Sequence, residues 1–250
     1  MTYCVGMLPE AGLVMIADTR TNAGVDNISI YRKLHILADS DDRLIVVCSA
    51  GNLSVTQMVL SMLAEGLAPH EEGDEPRKLS QVATMFRAAQ LVSEASIQAH
   101  AAAAVTLSGT GIDSSTSLLV GGRIGNGPLE LFLIYAEGNF IQCHPDTPFL
   151  QIGQTMYGKP ILDRALHYDT PLEETVKLGL ISFDGTLRSN LAVGRPLDLI
   201  VIPRDRREAT IRLRLAEDDA YFNDLSTRWG KLLDQGRTAI PDPPFMKSGL

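Results

Sequence analysis

The chain has 250 residues, 45% of them hydrophobic and 21% charged, with a formal net charge of −8. That length and composition fit one globular domain, 1–250, with a sizeable core. No stretch approaches the ~18 consecutive apolar residues of a membrane-spanning helix, and the scattered Lys and Arg residues offer no basic face for phosphates, which argues against membrane insertion and nucleic-acid binding.

The three cysteines, Cys4, Cys48 and Cys143, are odd in number and far apart. Their apolar, strand-like surroundings read as those of reduced core thiols, which points to the cytoplasm. The N-terminal segment lacks the early Lys or Arg and the apolar run of an export signal, and it turns at Pro9 to Gly12.

Residues 2–7 and 13–17 are β-rich runs around the turn 8–12, a hairpin signal. A polar loop with Asn22, Gly24, Asp26 and Asn27 follows, then extended runs at 33–37 and 43–49, so the first fifty residues read as an antiparallel meander. Helical spacing of apolar residues predicts helices over 53–67 and 79–100. Between them, 68–77 carries Pro69, Glu71, Glu72, Gly73, Asp74 and Pro76 and reads as an exposed acidic connector. Strands are predicted at 115–124, 129–135, 139–144 and 149–152 as a second meander. Helices follow at 157–167 and 172–183, strands at 197–202 and 209–213, a helix over 220–233, and an irregular tail from 237 to 250. Two strand-and-helix halves of hairpin-linked strands predict an α+β chain. Its architecture is a four-layer αββα sandwich of two stacked antiparallel sheets.

Thr2 is the first candidate for chemistry. A small residue behind the initiator methionine permits removal of Met1, and an N-terminal threonine then combines a hydroxyl nucleophile with an α-amino group of pKa about 7.7–8.0, able to accept a proton. The hairpin register returns Asp18, at the end of the second strand, to the neighbourhood of Thr2. A lysine at position 33 beside them would lower the hydroxyl pKa and relay protons. Gly51, ending the buried strand, allows close backbone approach, and its N–H is a candidate oxyanion donor. The five histidines, His35, His70, His100, His144 and His167, show no ligand spacing, and Gly121, Gly122, Gly125 and Gly127 make no phosphate loop. Neither a metal nor a cofactor is expected.

Four segments in order, 2–7, Ala17-Asp18-Thr19-Arg20, Arg32-Lys33-Leu34-His35 and Ser49-Ala50-Gly51-Asn52, resemble the signature of proteasome β-subunits in the N-terminal-nucleophile hydrolase superfamily. The run 152–158 followed by Ile161-Leu162-Asp163 resembles the second glycine turn and helix of that family. Within it, the wording of 1–8, 21–27 and 186–191 is most similar to the bacterial Anbu (ancestral beta-subunit) group. The resemblance implies a proteasome-type threonine peptidase acting through an acyl-enzyme, in a ring or helical homo-oligomer of identical subunits with a peptide or amide substrate. Small-amide or isopeptide hydrolysis, or a scaffold with a weak or silent site, are the alternatives. It also implies residue roles: Thr2 as nucleophile, Asp18 and Lys33 as the activating pair, the Gly51 amide as oxyanion donor, and Arg20 as a brace. Ile152 stands where β-subunits carry a serine, and Asp184 and Ser189 are candidates for the remaining polar pair around the amine.

Overall fold

The computed structural model describes residues 1–22, 28–71 and 73–246. The polar-loop residues 23–27, with the part of the family-like wording that falls on them, lie outside the described residues, as do Glu72 of the connector and 247–250 of the tail.

Two five-stranded antiparallel sheets form the centre. The first has the order β10-β1-β2-β11-β12, built from β1 (Tyr3–Met7), β2 (Gly12–Asp18), β10 (Phe149–Gly153), β11 (Leu197–Pro203) and β12 (Ile211–Leu215). The second runs β5-β6-β7-β8-β9, from β5 (Leu34–Ser40), β6 (Arg43–Gly51), β7 (Thr116–Ile124), β8 (Glu130–Ile134) and β9 (Phe140–Gln142). A short ribbon, β3 (Arg20–Asn22) with β4 (Ile28–Ile30), stands apart.

Three layers of apolar side chains fill the spaces. Between the sheets lie Cys4, Leu13, Met15, Val46, Cys48, Leu119, Leu131 and Ile200. The outer face of the second sheet packs through Ile45, Val47, Val120 and Phe132 against α1 (Leu53–Glu65) and α2 (Met85–Leu107). On the other side, Tyr3, Val5, Val14 and Ile16 meet α4 (Leu172–Ser189), together with α3 (Lys159–Ala165) and α5 (Ala220–Ala239). The layers are therefore α, β, β, α, in agreement with the sequence reading. Both faces of β2 are covered, which is why all seven of its residues are buried.

Neither predicted meander stays in one sheet. Both edges of β2 are occupied, by β1 and by β11, so β5 has no free edge there and pairs with β6 in the other sheet. Likewise β10 leaves the β7-β8-β9 run and pairs with β1. Helix α2 starts six residues later than predicted, because Thr84 caps it by accepting from Arg87 N at 3.2 Å while Arg43 Nη1 takes the Leu79 carbonyl at 2.9 Å. The Ala-rich stretch carries α2 on to Leu107. Helix α5 continues to Ala239 through Gly230 and Gly236, with exposed pairs such as Arg228–Asp224 at 2.6 Å and Arg237–Asp234 at 2.7 Å along it, so the tail begins at Ile240. Strand β12 is displaced two residues C-terminally from its predicted place. The described part of the acidic connector is exposed apart from Pro69 and Arg77, which are half-buried, and its ends are joined by the Leu67–Arg77 bridge. All three cysteines are free and buried. Among the described residues, no helix is long and apolar enough to cross a membrane, and no cluster of His, Cys, Asp and Glu could hold a metal ion.

Candidate active site

In the β1–β2 ladder Cys4 lies opposite Ala17. One step further out, Asp18 sits beside Tyr3, whose backbone N–H donates to Asp18 Oδ1 at 3.1 Å. Lys33, just before β5, crosses to the same carboxylate: its Nζ donates to Asp18 Oδ1 at 2.8 Å and to the Arg20 carbonyl at 2.5 Å, and reaches the Met1 carbonyl at 3.5 Å. The other carboxylate oxygen accepts from Gly194 N at 3.2 Å. Asp18 is 0% exposed, Lys33 5% and Thr2 7%, so the ion pair is enclosed by protein. Burial pushes the Asp18 carboxyl above its usual value, against the downward pull of Lys33 and of the Tyr3 and Gly194 amides. The Met1 α-amino group is held below its ordinary value, first by partial burial and then by the Lys33 charge.

The end of β6 is stacked on this cluster. Ser49 N donates to the Lys33 carbonyl at 3.0 Å, and Cys4 Sγ donates to the Ser49 carbonyl at 3.6 Å. Gly153, with φ +80°, is where a Cβ would collide with the Thr2 carbonyl oxygen and lie 3.5 Å from Ala50 Cβ, so the glycine lets three segments meet. Beside it, Gln154 N donates to the Thr2 carbonyl at 2.7 Å. Gly51 follows Ala50 with φ +118°, a conformation other residues rarely adopt, and a Cβ there would strike the Ser115 carbonyl.

Of the predicted site residues, Thr2, Asp18 and Lys33 are brought together at the start of β1, with Ala50 and Gly51, the last residues of β6, beside them. Asp184 lies on the buried side of α4, where both carboxylate oxygens accept from Arg188 Nε at 3.2 Å, and it lines a pocket of about 260 Å³ with Arg20 and Gly194. Ser189, the last residue of α4, is exposed. Its neighbour Asn190 places Nδ2 3.8 Å from Met1 Sδ, so this helix end reaches the N-terminus. Arg20 braces the site twice: Nη1 donates to the Leu191 carbonyl at 2.9 Å, and its own carbonyl receives Lys33. Ile152 is buried between the sheets.

Gly194, Gln154, Asn190 and Tyr3 escaped the sequence reading, because their contacts with the site come from segments up to about 190 residues away or through backbone groups of any residue type. Tyr3 anchors the strand that carries Thr2. It is fully buried, its ring lies 4.5 Å from that of Phe183, its hydroxyl is 3.1 Å from Ser182 Oγ, and Gln151 Nε2 donates to it at 2.5 Å. Burial pushes the Tyr3 hydroxyl up to about 12. An unfolded tyrosine ionises near pH 10, so folding stability from this group is complete below pH ~10 and falls as pH rises toward 12, by up to about 3 kcal/mol. Tyr3→Phe is expected to remove that alkaline loss, giving a smaller fall in urea-unfolding stability between pH 10 and 12 than wild type. An equal fall in both proteins would refute it.

Stacked antiparallel sheets flanked by helices, with a threonine, aspartate and lysine gathered at the N-terminal strand, define a proteasome β-subunit-like protein. No protein-family model and no curated protein matches the chain. Solved structures do. The chain is 42% identical to Anbu (ancestral beta-subunit) from Yersinia bercovieri, with 99% of this chain and 100% of that one covered and a TM-score of 0.87. It is 44% identical to the chain in a helical assembly of the Anbu complex from Pseudomonas aeruginosa, covering 98% and 100% with a TM-score of 0.89. A (Gly-1) mutant of Anbu from Hyphomicrobium sp. strain MC1 matches at 44% identity, 97% and 99% coverage and TM-score 0.87. The chain belongs to the Anbu family.

Proposed function

We propose that this protein is a cytoplasmic, self-assembling threonine-type amide hydrolase whose nucleophile is Thr2, freed by removal of Met1, within a single β-subunit-like domain. The observation that carries the reading is the enclosed Lys33–Asp18 pair at 2.8 Å, with Lys33 Nζ 3.5 Å from the Met1 carbonyl. Loss of Met1 leaves an α-amino group on Thr2 in the same enclosed place, where burial and the Lys33 charge favour its neutral, proton-accepting form.

Thr2 Oγ attacks the substrate carbonyl carbon and its proton passes to the Thr2 amine, with Lys33 lowering the hydroxyl pKa through its charge. The carbonyl oxygen becomes an oxyanion that accepts from Gly51 N–H. The C–N bond then breaks, the leaving amine takes the proton, and an ester remains on Thr2. Water adds to the ester with the amine as base, releasing the carboxylic acid and regenerating the hydroxyl. Asp184 and Ser189 are proposed as outer polar groups near the amine. Peptides are the proposed substrates, with small amides or isopeptides served by the same chemistry. The helical assembly named for the Pseudomonas aeruginosa protein supports a homo-oligomer.

The second reading is a scaffold with a silent site, in which Met1 stays attached and the Thr2 nitrogen remains an amide that cannot accept the proton. Intact-mass measurement on protein from the native host, followed by labelling with a threonine-directed β-lactone and peptide mapping, separates the two. The hydrolase reading expects a chain starting at Thr2 and an adduct on Thr2. A chain that retains Met1 and takes no label would establish the scaffold.

A further inference from the structure

The end of β6 and the start of α1 are tied to a loop that the proposed chemistry does not use. Every polar group of Asn52 is engaged there. Its N–H donates to the Ser115 carbonyl at 2.9 Å, and its Nδ2 donates to the Asp113 carbonyl at 2.9 Å. Its Oδ1 accepts from Ser54 N at 3.0 Å and Val55 N at 3.3 Å as the N-cap of α1, and its carbonyl accepts from Thr56 N at 3.0 Å. The loop is in turn fixed at both sides. Ser115 N and Oγ donate to the Asp113 carboxylate at 2.8 and 2.6 Å, while His100 Nδ1 on α2 lies 3.2 Å from the Ser114 carbonyl. Gly51 sits directly before Asn52, pressed against the Ser115 carbonyl in its left-handed conformation.

We infer that Asn52 is a positioning residue. By joining α1 to the 113–115 loop it sets the direction of the Gly51 peptide, and so aims the Gly51 N–H at the developing oxyanion. This rests on the reading of Thr2 as nucleophile and the Gly51 amide as oxyanion donor. The residue type follows from the geometry, because the position needs an acceptor for the helix cap and a donor for the Asp113 carbonyl on one short side chain, which asparagine supplies. A mis-aimed donor weakens transition-state stabilisation and leaves ground-state binding alone, since an oxyanion donor acts where charge develops.

Asn52→Asp separates the two duties. Aspartate still caps the helix, but it presents an oxygen to the Asp113 carbonyl in place of the N–H. In processed, assembled protein, labelling of Thr2 by a β-lactone is followed as a function of concentration. The expected result is a maximal acylation rate at least about tenfold lower, with the half-saturating concentration within about twofold of wild type and the melting temperature little changed. His100→Ala, which frees the far side of the loop, is expected to lower the same rate by a smaller factor and keeps the test available if Asn52→Asp fails to fold. Wild-type acylation rates in the variants, or a loss confined to half-saturation or melting temperature, would overturn the positioning role alone. Absence of any Thr2 adduct in the processed wild-type protein would overturn both this role and the hydrolase reading.

Discussion

Thr2→Ala is expected to abolish amide hydrolysis, by at least about a thousandfold, while the assembled protein folds and melts as wild type. The size follows from the proposed role: removing the proposed nucleophile would leave only binding and electrostatic stabilisation, and nucleophile knockouts in serine hydrolases cost on the order of 10⁶ in kcat. Stability should hold because the alanine keeps the backbone contact that matters, the Thr2 carbonyl accepting from Gln154 N at 2.7 Å. Thr2→Ser is the companion variant. It retains a hydroxyl on an N-terminal residue and should keep measurable turnover. Residual activity of Thr2→Ala within tenfold of wild type, on protein shown by mass to have lost Met1, would sink the assignment.

Lys33→Ala should damage both activity and stability. The Asp18 carboxylate would keep the Tyr3 and Gly194 amides but lose its one cationic partner among the described residues, and breaking an enclosed pair on one side costs about 3–5 kcal/mol. Acylation of Thr2 should fall by about a hundredfold or more, because the charge proposed to lower the hydroxyl pKa is gone. Lys33→Arg should not rescue it: the compact ammonium is held between the Asp18 carboxylate and two carbonyls, a space that does not fit a planar guanidinium.

Burial already raises the Asp18 pKa in wild type, and without Lys33 the pull against that rise is lost, so in the variant it rises further. A raised folded pKa favours folding at pH values where Asp18 is protonated and opposes it as pH climbs through the folded pKa. The stability deficit of Lys33→Ala should therefore be largest near neutrality and shrink as pH falls. A deficit that grows on acidification, measured by denaturant unfolding of the two proteins at matched pH, would contradict the geometry of the pair.

The layer order was legible because each half alternates hairpin strands with amphipathic helices, and periodicity is a local property of the chain. Asp18 was legible beside Thr2 for a similar reason: an antiparallel hairpin with a short turn returns its end to its start, so counting residues along Tyr3–Met7 and Gly12–Asp18 suffices. Helix ends were less legible, since Thr84 capping and Arg43 capturing the Leu79 carbonyl involve competition between partners that lie apart in sequence. For Asp184 the local reading, a polar residue near a helix end, does not foresee the Arg188 partner one turn away nor the pocket it shares with Arg20 and Gly194.

By itself the sequence determined the four layers, the reduced buried cysteines and the short-range meeting of Thr2 with Asp18, all consequences of pattern and hairpin register. The tertiary structure decided which strands share a sheet, because β2 has two edges and β1 and β11 fill both. It also decided what holds Lys33 against Asp18: the Arg20 carbonyl, the Gly194 amide and the end of β6 converge only when the two sheets are stacked. Register is set along the chain, two residues at a time, whereas the enclosure that gives this ion pair its strength depends on surfaces folded together from both halves.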